Sequence, residues 1–228
     1  GFSSGVPLAL TAGTLQAWMA DEKVDLAVIG FFALVGLPYT FKFLWAPILD
    51  RYVPPFLGRR RGWMIITQLM LALSIAAMAF VNPVENTGMM AALAVCVAFF
   101  SASQDIVVDA YRTEVLEPEE RGVGAGLYIM GYRLAMLVSG ALALILASTM
   151  SWTTVYLVMA TTMAVGVCVS IFGPEPQTAV KPPETMKDAV VSPFVEFFKR
   201  KGAIEILLFI LFYKLGDVMA GALSTPFM

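Results

Sequence analysis

Seven apolar runs separated by short polar loops restrict this chain more than any other feature. They lie at residues 1–19, 26–47, 62–81, 89–112, 122–147, 152–172 and from 203 onward. Runs near 20 residues, coiled as helices, match the hydrocarbon thickness of a bilayer. Inside that layer the backbone has no water to bond, so the helix is the form open to such runs. Composition agrees: 59% of residues are hydrophobic and 14% charged, where a soluble domain carries about 25% charged. Mean hydropathy is +0.79. The expected class is an all-α membrane protein.

Several function classes fall away at once. The net charge of −2 offers no basic field for nucleic acid. There is no histidine, so proton handling falls to carboxylates. Cys96 and Cys168 lie in apolar runs and form neither a disulfide framework nor a metal spacing. Gly122-Val123-Gly124-Ala125-Gly126 lacks the Lys and the strand context of a phosphate loop. No catalytic set, metal site or cofactor is therefore expected, and an enzyme is disfavoured.

Loop charge orients the chain. Arg51, Arg59, Arg60, Arg61, Arg121, Lys181, Lys187, Lys199, Arg200 and Lys201 fall on one side, and only Lys23 on the other. The basic side is expected to be cytoplasmic. Residues 1–172 read as a transmembrane bundle of six helices with an incomplete first helix. Residues 173–202 read as a cytoplasmic linker, in which 186–201 suits a short amphipathic surface helix. Residues 203–228 read as the start of a second bundle. The sequence opens at Gly1 inside an apolar run and is read as a piece of a longer protein.

Charges inside spans are costly and by default point to function. The third and sixth helices have none and suit a lipid-facing position; the second, fourth, fifth and seventh carry them. Asp105, Asp109 and Arg112 stand at i, i+4 and i+7 and share a helix face. By helical rise, Lys42 lies about 12 Å inward from Asp50, and Asp105 about 10 Å inward from Arg112. A Lys42–Asp105 ion pair between neighbouring helices is therefore expected, with Asp105 the better proton carrier. Arg133, Lys214 and Asp217 fall near mid-depth, where secondary transporters bind substrate. Mutual structural neutralisation is the alternative. Asp50, Arg51, Arg59, Arg60, Arg61, Asp109 and Arg112 gather at the basic end as a gate latch or a static brace. The glycines of helix five, Gly122, Gly124, Gly126, Gly131 and Gly140, are expected to permit close helix packing.

Asp50-Arg51 followed by Gly58-Arg59-Arg60-Arg61 resembles the signature between helices two and three of the major facilitator superfamily, with Ala46-Pro47 where its first Gly is usual. More specifically, the chain resembles the AmpG muropeptide permease family. The resemblance is carried by Gly1-Phe2-Ser3-Ser4-Gly5-Val6-Pro7-Leu8-Ala9-Leu10-Thr11, Thr14-Leu15-Gln16-Ala17-Trp18-Met19 and Phe41-Lys42-Phe43-Leu44-Trp45. Gly58-Arg59-Arg60-Arg61-Gly62-Trp63, Ser101-Ala102-Ser103-Gln104-Asp105-Ile106-Val107 and Gly131-Tyr132-Arg133-Leu134 continue it in order. It covers residues 1–176 well and the linker less.

The resemblance implies a major facilitator type six-helix N-terminal bundle plus the first helix of the second half. It implies a carrier in the bacterial inner membrane that imports N-acetylglucosamine–anhydro-N-acetylmuramic acid, with or without its peptide, for peptidoglycan recycling. Import would be driven by protons and would supply the signal for β-lactamase induction. With that cargo, Arg133 and Lys214 suit its carboxylates, and Gln16, Tyr39 and Tyr132 its sugars. The expected partners are this solute, protons, the bilayer and further helices of the same protein, which would act as a monomer. A carrier of the same architecture for another cargo, such as an acyl-CoA or a drug, stays open. A non-transporting scaffold or sensor has no reason to bear buried charges.

Overall fold

A computed structural model describes residues 1–174, 176 and 182–224, with side chains up to 216. All its regular elements are helical among these residues. The chain divides into two compact units, Gly1–Pro182 and Pro183–Met228.

The first unit begins with α1 (Phe2–Thr11) and α2 (Gly13–Asp21), where a single continuous helix is expected. The break is at Ala12, whose φ of −113° and ψ of −108° leave the helical region just before Gly13. The second expected helix is more fragmented. It runs through α3 (Leu26–Phe31), a 3₁₀ segment Phe32–Gly36, α4 (Leu37–Phe41), a second 3₁₀ segment Lys42–Leu44 and α5 (Ala46–Arg51). Pro38 and Pro47 each stand in the first turn of a new helical piece. Lacking an N–H, a proline cannot continue the preceding ladder. The kink expected at Pro38 is thus a stretch of tighter winding followed by a restart.

The loop expected at 48–61 is shorter than its composition suggests. Helix persists to Arg51 and resumes with α6 (Arg59–Met78), so Arg59, Arg60 and Arg61 sit in the first turn of a helix and Arg51 in the last turn of the one before. Leu57 and Gly58 both have positive φ, 54° and 75°, and reverse the chain immediately before that turn. After α7 (Thr87–Val115) comes α8 (Arg121–Leu137), a π segment Val138–Leu142, α9 (Ala143–Ala147) and α10 (Trp152–Phe172). The π turn coincides with a foreign hydrogen bond: Thr14 on α2 donates to the Ser139 carbonyl at 2.7 Å. The Ser139 hydroxyl bonds back to the Ala135 carbonyl at 2.8 Å.

Among the described residues, five stretches are long and apolar enough to span a membrane: Leu26–Leu44, Arg59–Met78, Thr87–Val115, Arg121–Ala147 and Trp152–Phe172. The chain is a multi-pass membrane protein. Helix α6 packs between α7 and α10, while α1 packs against α8 and α7. Leu10, Leu71, Ile75, Met78, Met90, Val97 and Met163 form the core between them. The uncharged helices are therefore central props, with only their outer faces open. The least covered spans are the second and fifth, of which only 17% is buried in each case. At one end Trp18 stacks on Trp152, centroids 5.8 Å apart, and the Trp152 indole donates to Asp21 at 2.8 Å. At the other, the Trp63 indole donates to the Tyr52 carbonyl at 2.7 Å. Both are positions an aromatic belt would occupy.

The close approach of α1 and α8 rests on Gly5 of α1 more than on the glycines of α8. A β-carbon at Gly5 would collide with the Tyr132 carbonyl and come within 2.8 Å of the Ala135 methyl. Gly131 lies close to the start of α1, but Gly122 and Gly126 face open space. Gly5→Ala is expected to cost about 1–3 kcal/mol, the usual penalty for overpacking. Gly126→Ala should instead stabilise by up to about 1 kcal/mol through lower chain entropy. Thermal unfolding of the two purified variants checks the opposite signs.

The second unit contains α11 (Met186–Lys199) and α12 (Ala203–Ser224). The sequence between them turns at Gly202, φ 81°.

Candidate functional site

Two polar constellations stand out in the first unit, and both are built on α7. One lies within the bundle. Ser101, Gln104 and Asp105 occupy i, i+3 and i+4 on α7 and so share one face. Tyr39 of α4, Ser4 of α1, and Tyr128 and Tyr132 of α8 come toward that face. The Ser4 hydroxyl lies beside both Asp105 and Tyr128, and Ser101 beside Tyr39. Gln104 Nε2 donates to the Ser4 hydroxyl at 3.3 Å. Tyr128 and Tyr132 are stacked with centroids 6.5 Å apart.

Four buried oxygens of this cluster, Tyr39 Oη, Ser101 Oγ, Gln104 Oε1 and Asp105 Oδ1, make no close hydrogen bond, although Tyr39 faces Ser101 and Asp105 faces Ser4. Leaving one buried polar group unsatisfied costs about 1–3 kcal/mol. Four together on facing helices form a site that can accept or exchange hydrogen bonds with a bound hydroxyl, amide or water. Lys42 is the nearby cation whose field acts on Asp105. The two do not form the direct ion pair that depth counting suggests, because no ammonium–carboxylate approach within 4.0 Å exists. The reason is local winding. Counting at 1.5 Å per residue assumes a straight α-helix, whereas Lys42 opens a 3₁₀ turn just after another proline-led restart.

The second constellation closes the basic end. The Arg60 guanidinium reaches Glu114 at 2.6 Å and Asp50 at 2.8 Å, and Arg59 approaches the same Glu114 oxygen at 3.4 Å. The Arg60 and Glu114 side chains are 8% and 13% exposed, so this is a buried network tying α5, α6 and α7. Glu114, at its centre, was not singled out by the sequence reading. Its signal was available, since it lies in the same helix as Asp105 and Asp109 with no opposite charge of its own helix one turn away.

The other expected gate residues go elsewhere. Arg61 donates to the Ser170 carbonyl at 3.0 Å and also to the Ile171 carbonyl, so it caps the C-terminal end of α10. Tyr111 adds a hydrogen bond to the Pro174 carbonyl at 2.7 Å. Asp109 and Arg112 pair with each other at 3.1 Å, and the guanidinium lies over the Tyr128 ring at 4.5 Å. Arg51 lies over its neighbour Tyr52. The one latch or brace expected from these charges is thus four arrangements among the described residues.

Of the expected substrate contacts, Tyr39 and Tyr132 belong to the inner cluster. Gln16 on α2 and Arg133 on α8 are exposed. Lys214 is exposed on α12 in the second unit, and the Asp217 side chain lies outside the described residues. Ser4, Ser101, Gln104 and Tyr128 were missed as site residues because serine and glutamine in an apolar helix carry no charge to draw notice. Among the described residues, no group of acidic or cysteine side chains could hold a metal ion.

Residues 1–228 match the family description Major Facilitator Superfamily. The chain is 54% identical to the anhydromuropeptide permease of Escherichia coli (strain K12) over all of its own length and 47% of that protein. It is 42% identical to an uncharacterized protein of Haemophilus influenzae, covering 55% of it. Against the "Putative transporter AmpG 4" of Rickettsia felis it is 34% identical, covering 57%. The chain spans about half the length of the curated relatives it matches.

Proposed function

The chain belongs to the major facilitator superfamily, and from that premise we propose that it is part of a proton-coupled importer of muropeptides. The cargo is N-acetylglucosamine–anhydro-N-acetylmuramic acid and its peptides, carried from periplasm to cytoplasm across the bacterial inner membrane for peptidoglycan recycling. The observation that carries a transport site is the cluster of unpartnered buried oxygens around Asp105. The cargo itself rests on the 54% identity to a protein named for it.

The chemistry of the cluster suits this cargo. Gln104 Oε1 and Asp105 Oδ1 are acceptors, Tyr39 and Ser101 can donate or accept, and a sugar offers hydroxyls and acetamido N–H groups to match them. Asp105, buried in this cluster with Lys42 nearby, is the proton-coupling carboxylate. Protonation removes the acceptor charge and turns the carboxyl into a donor, so substrate and proton read the same side chain. In the first unit Arg133 is the proposed contact for a carboxylate of the cargo and Gln16 for its sugars; Lys214 and Asp217 are kept as proposed cargo contacts of the second unit. The Arg60–Glu114–Asp50 network seals the basic end when that end is closed, with the basic side cytoplasmic. The transporter acts as a monomer.

Uptake of labelled N-acetylglucosamine–anhydro-N-acetylmuramic acid by membrane vesicles containing the full-length protein tests this reading. Accumulation should depend on an imposed proton gradient and stop with a protonophore. Failure to accumulate the fragment under a gradient that drives uptake of another solute would assign the site to another cargo.

A further inference from the structure

We propose that the hydroxyls of Ser4 and Tyr128 form a proton path from Asp105 to the basic end of the bundle. The inference rests on the reading that Asp105 carries the coupling proton. Packing brings the two hydroxyls into line. Gly5 lets α1 press on α8, where a β-carbon would collide with the Tyr132 carbonyl. That approach seats Ser4, 3% exposed, between α7 and α8, where its hydroxyl faces both Asp105 and Tyr128. Gln104 Nε2 donates to the Ser4 oxygen at 3.3 Å and holds it in place.

The path leads toward the basic end. Arg112 stands two turns beyond Asp105 on α7, about 10 Å nearer that end, and its guanidinium lies over the Tyr128 ring at 4.5 Å. Its partner Asp109 is 52% exposed, so water reaches this corner. The charged and titratable groups around Asp105 are Lys42 of the second span, Asp109 of its own helix, Tyr39 of α4, Tyr128 and Tyr132 of α8, and the Gly1 nitrogen just before α1. A charged Lys42 has no acceptor lone pair and cannot pass a proton on. Tyr39 is turned to Ser101, with its oxygen buried. Among the described residues, Tyr128 is the group that shares a hydroxyl neighbour, Ser4, with Asp105.

The transfer balances. With Asp105 protonated, its O–H donates to Ser4 Oγ, the Ser4 O–H to Tyr128 Oη, and the Tyr128 O–H to water at the basic end. Discharge moves each hydrogen one oxygen along. Asp105 is left as a carboxylate, both hydroxyls stay neutral, and one proton passes to water. Ser4 then donates to Asp105, and Tyr128 to Ser4. In both arrangements the Ser4 oxygen accepts two hydrogen bonds, one of them from Gln104, and donates one, the capacity of a hydroxyl. Rotation of the two hydroxyls resets the chain. Contacts of proton-transfer groups are often long at rest and tighten when they work.

The test uses the full-length protein in proteoliposomes and labelled N-acetylglucosamine–anhydro-N-acetylmuramic acid. Two rates are measured: accumulation driven by a proton gradient, and exchange of labelled for unlabelled fragment without one. Tyr128→Phe removes the hydroxyl and keeps the ring under Arg112; Ser4→Ala removes the other hydroxyl. Each should lower the ratio of accumulation to exchange by about tenfold or more, because water replaces a lost hydroxyl only in part. The double variant should be no worse than the weaker single, since both act in one series. Equal loss of accumulation and exchange overturns the path and assigns the hydroxyls to the cargo. Reductions that multiply in the double variant also overturn it. If Asp105→Asn lowers the ratio and Tyr128→Phe leaves it at the parent value, the path fails while the proton role of Asp105 stands. A parent ratio in Asp105→Asn overturns the reading on which the path rests, and the path with it.

Discussion

Replacing Glu114 with alanine is expected to lower the unfolding free energy by about 3–5 kcal/mol, the cost of leaving buried charge unpaired. Two guanidinium groups converge on this carboxylate, Arg60 at 2.6 Å and Arg59 at 3.4 Å. Without it they are left to repel each other beside Asp50, the only other carboxylate bonded to Arg60 among the described residues. Asp50→Ala should cost less. Its side chain is 41% exposed, water already screens the pair, and Arg60 keeps Glu114. Glu114→Gln retains an acceptor but no charge and should fall between the two. Thermal unfolding of the full-length variants in detergent gives the order. Equal midpoints for Glu114→Ala and Asp50→Ala would remove Glu114 from the centre of the network. The same series separates a brace from a latch. A brace lost lowers stability alone, whereas a latch lost also makes the basic end reactive to water-soluble thiol reagents under conditions that keep it closed in the parent.

Asp105→Asn is expected to reduce gradient-driven accumulation by about tenfold or more, equivalent to over 1.4 kcal/mol in the ratio of rates. Asparagine keeps the shape and one acceptor oxygen but cannot take up a proton. The bundle should fold normally or unfold at a higher temperature, because a carboxylate with an unpartnered buried oxygen has been replaced by a neutral group. The informative comparison is with counterflow, the exchange of labelled for unlabelled fragment without a gradient. Retained counterflow assigns Asp105 to the proton. Loss of both assigns it to the substrate. Accumulation equal to the parent would exclude either role.

The spans and their order were legible because length and apolarity decide them, and no tertiary contact has to be known. The interior of each span was not. Lys42 and Asp105 were brought together by counting along straight helices, and the 3₁₀ segment Lys42–Leu44 with the proline-led restart at Ala46 undoes the count from Asp50. The arginines of the second loop read as loop residues because charge marks the membrane boundary. Their helical start is set instead by the backbone reversal at Leu57 and Gly58. Composition also grouped seven charged residues into one gate. Which cation meets which anion depends on helix rotation, and rotation sent Arg61 to α10, Arg112 to Tyr128 and Arg60 to Glu114. Ser101 and Gln104 stood in the stretch that carries the resemblance and were given no role of their own, since only the facing Tyr39 and Ser4 turn them into a site.

The π segment at Val138–Leu142 has a consequence for mapping this helix by scanning mutagenesis. A π turn holds about one residue more than an α turn, so everything after it is advanced by one residue's rotation, about 100°. Positions sharing an azimuth before Val138 therefore do not share it after Leu142. A cysteine or tryptophan scan of residues 121–147 should show two periodic patterns out of phase, and fitting one phase to the whole stretch would assign residues of Ala143–Ala147 to the wrong side of the helix.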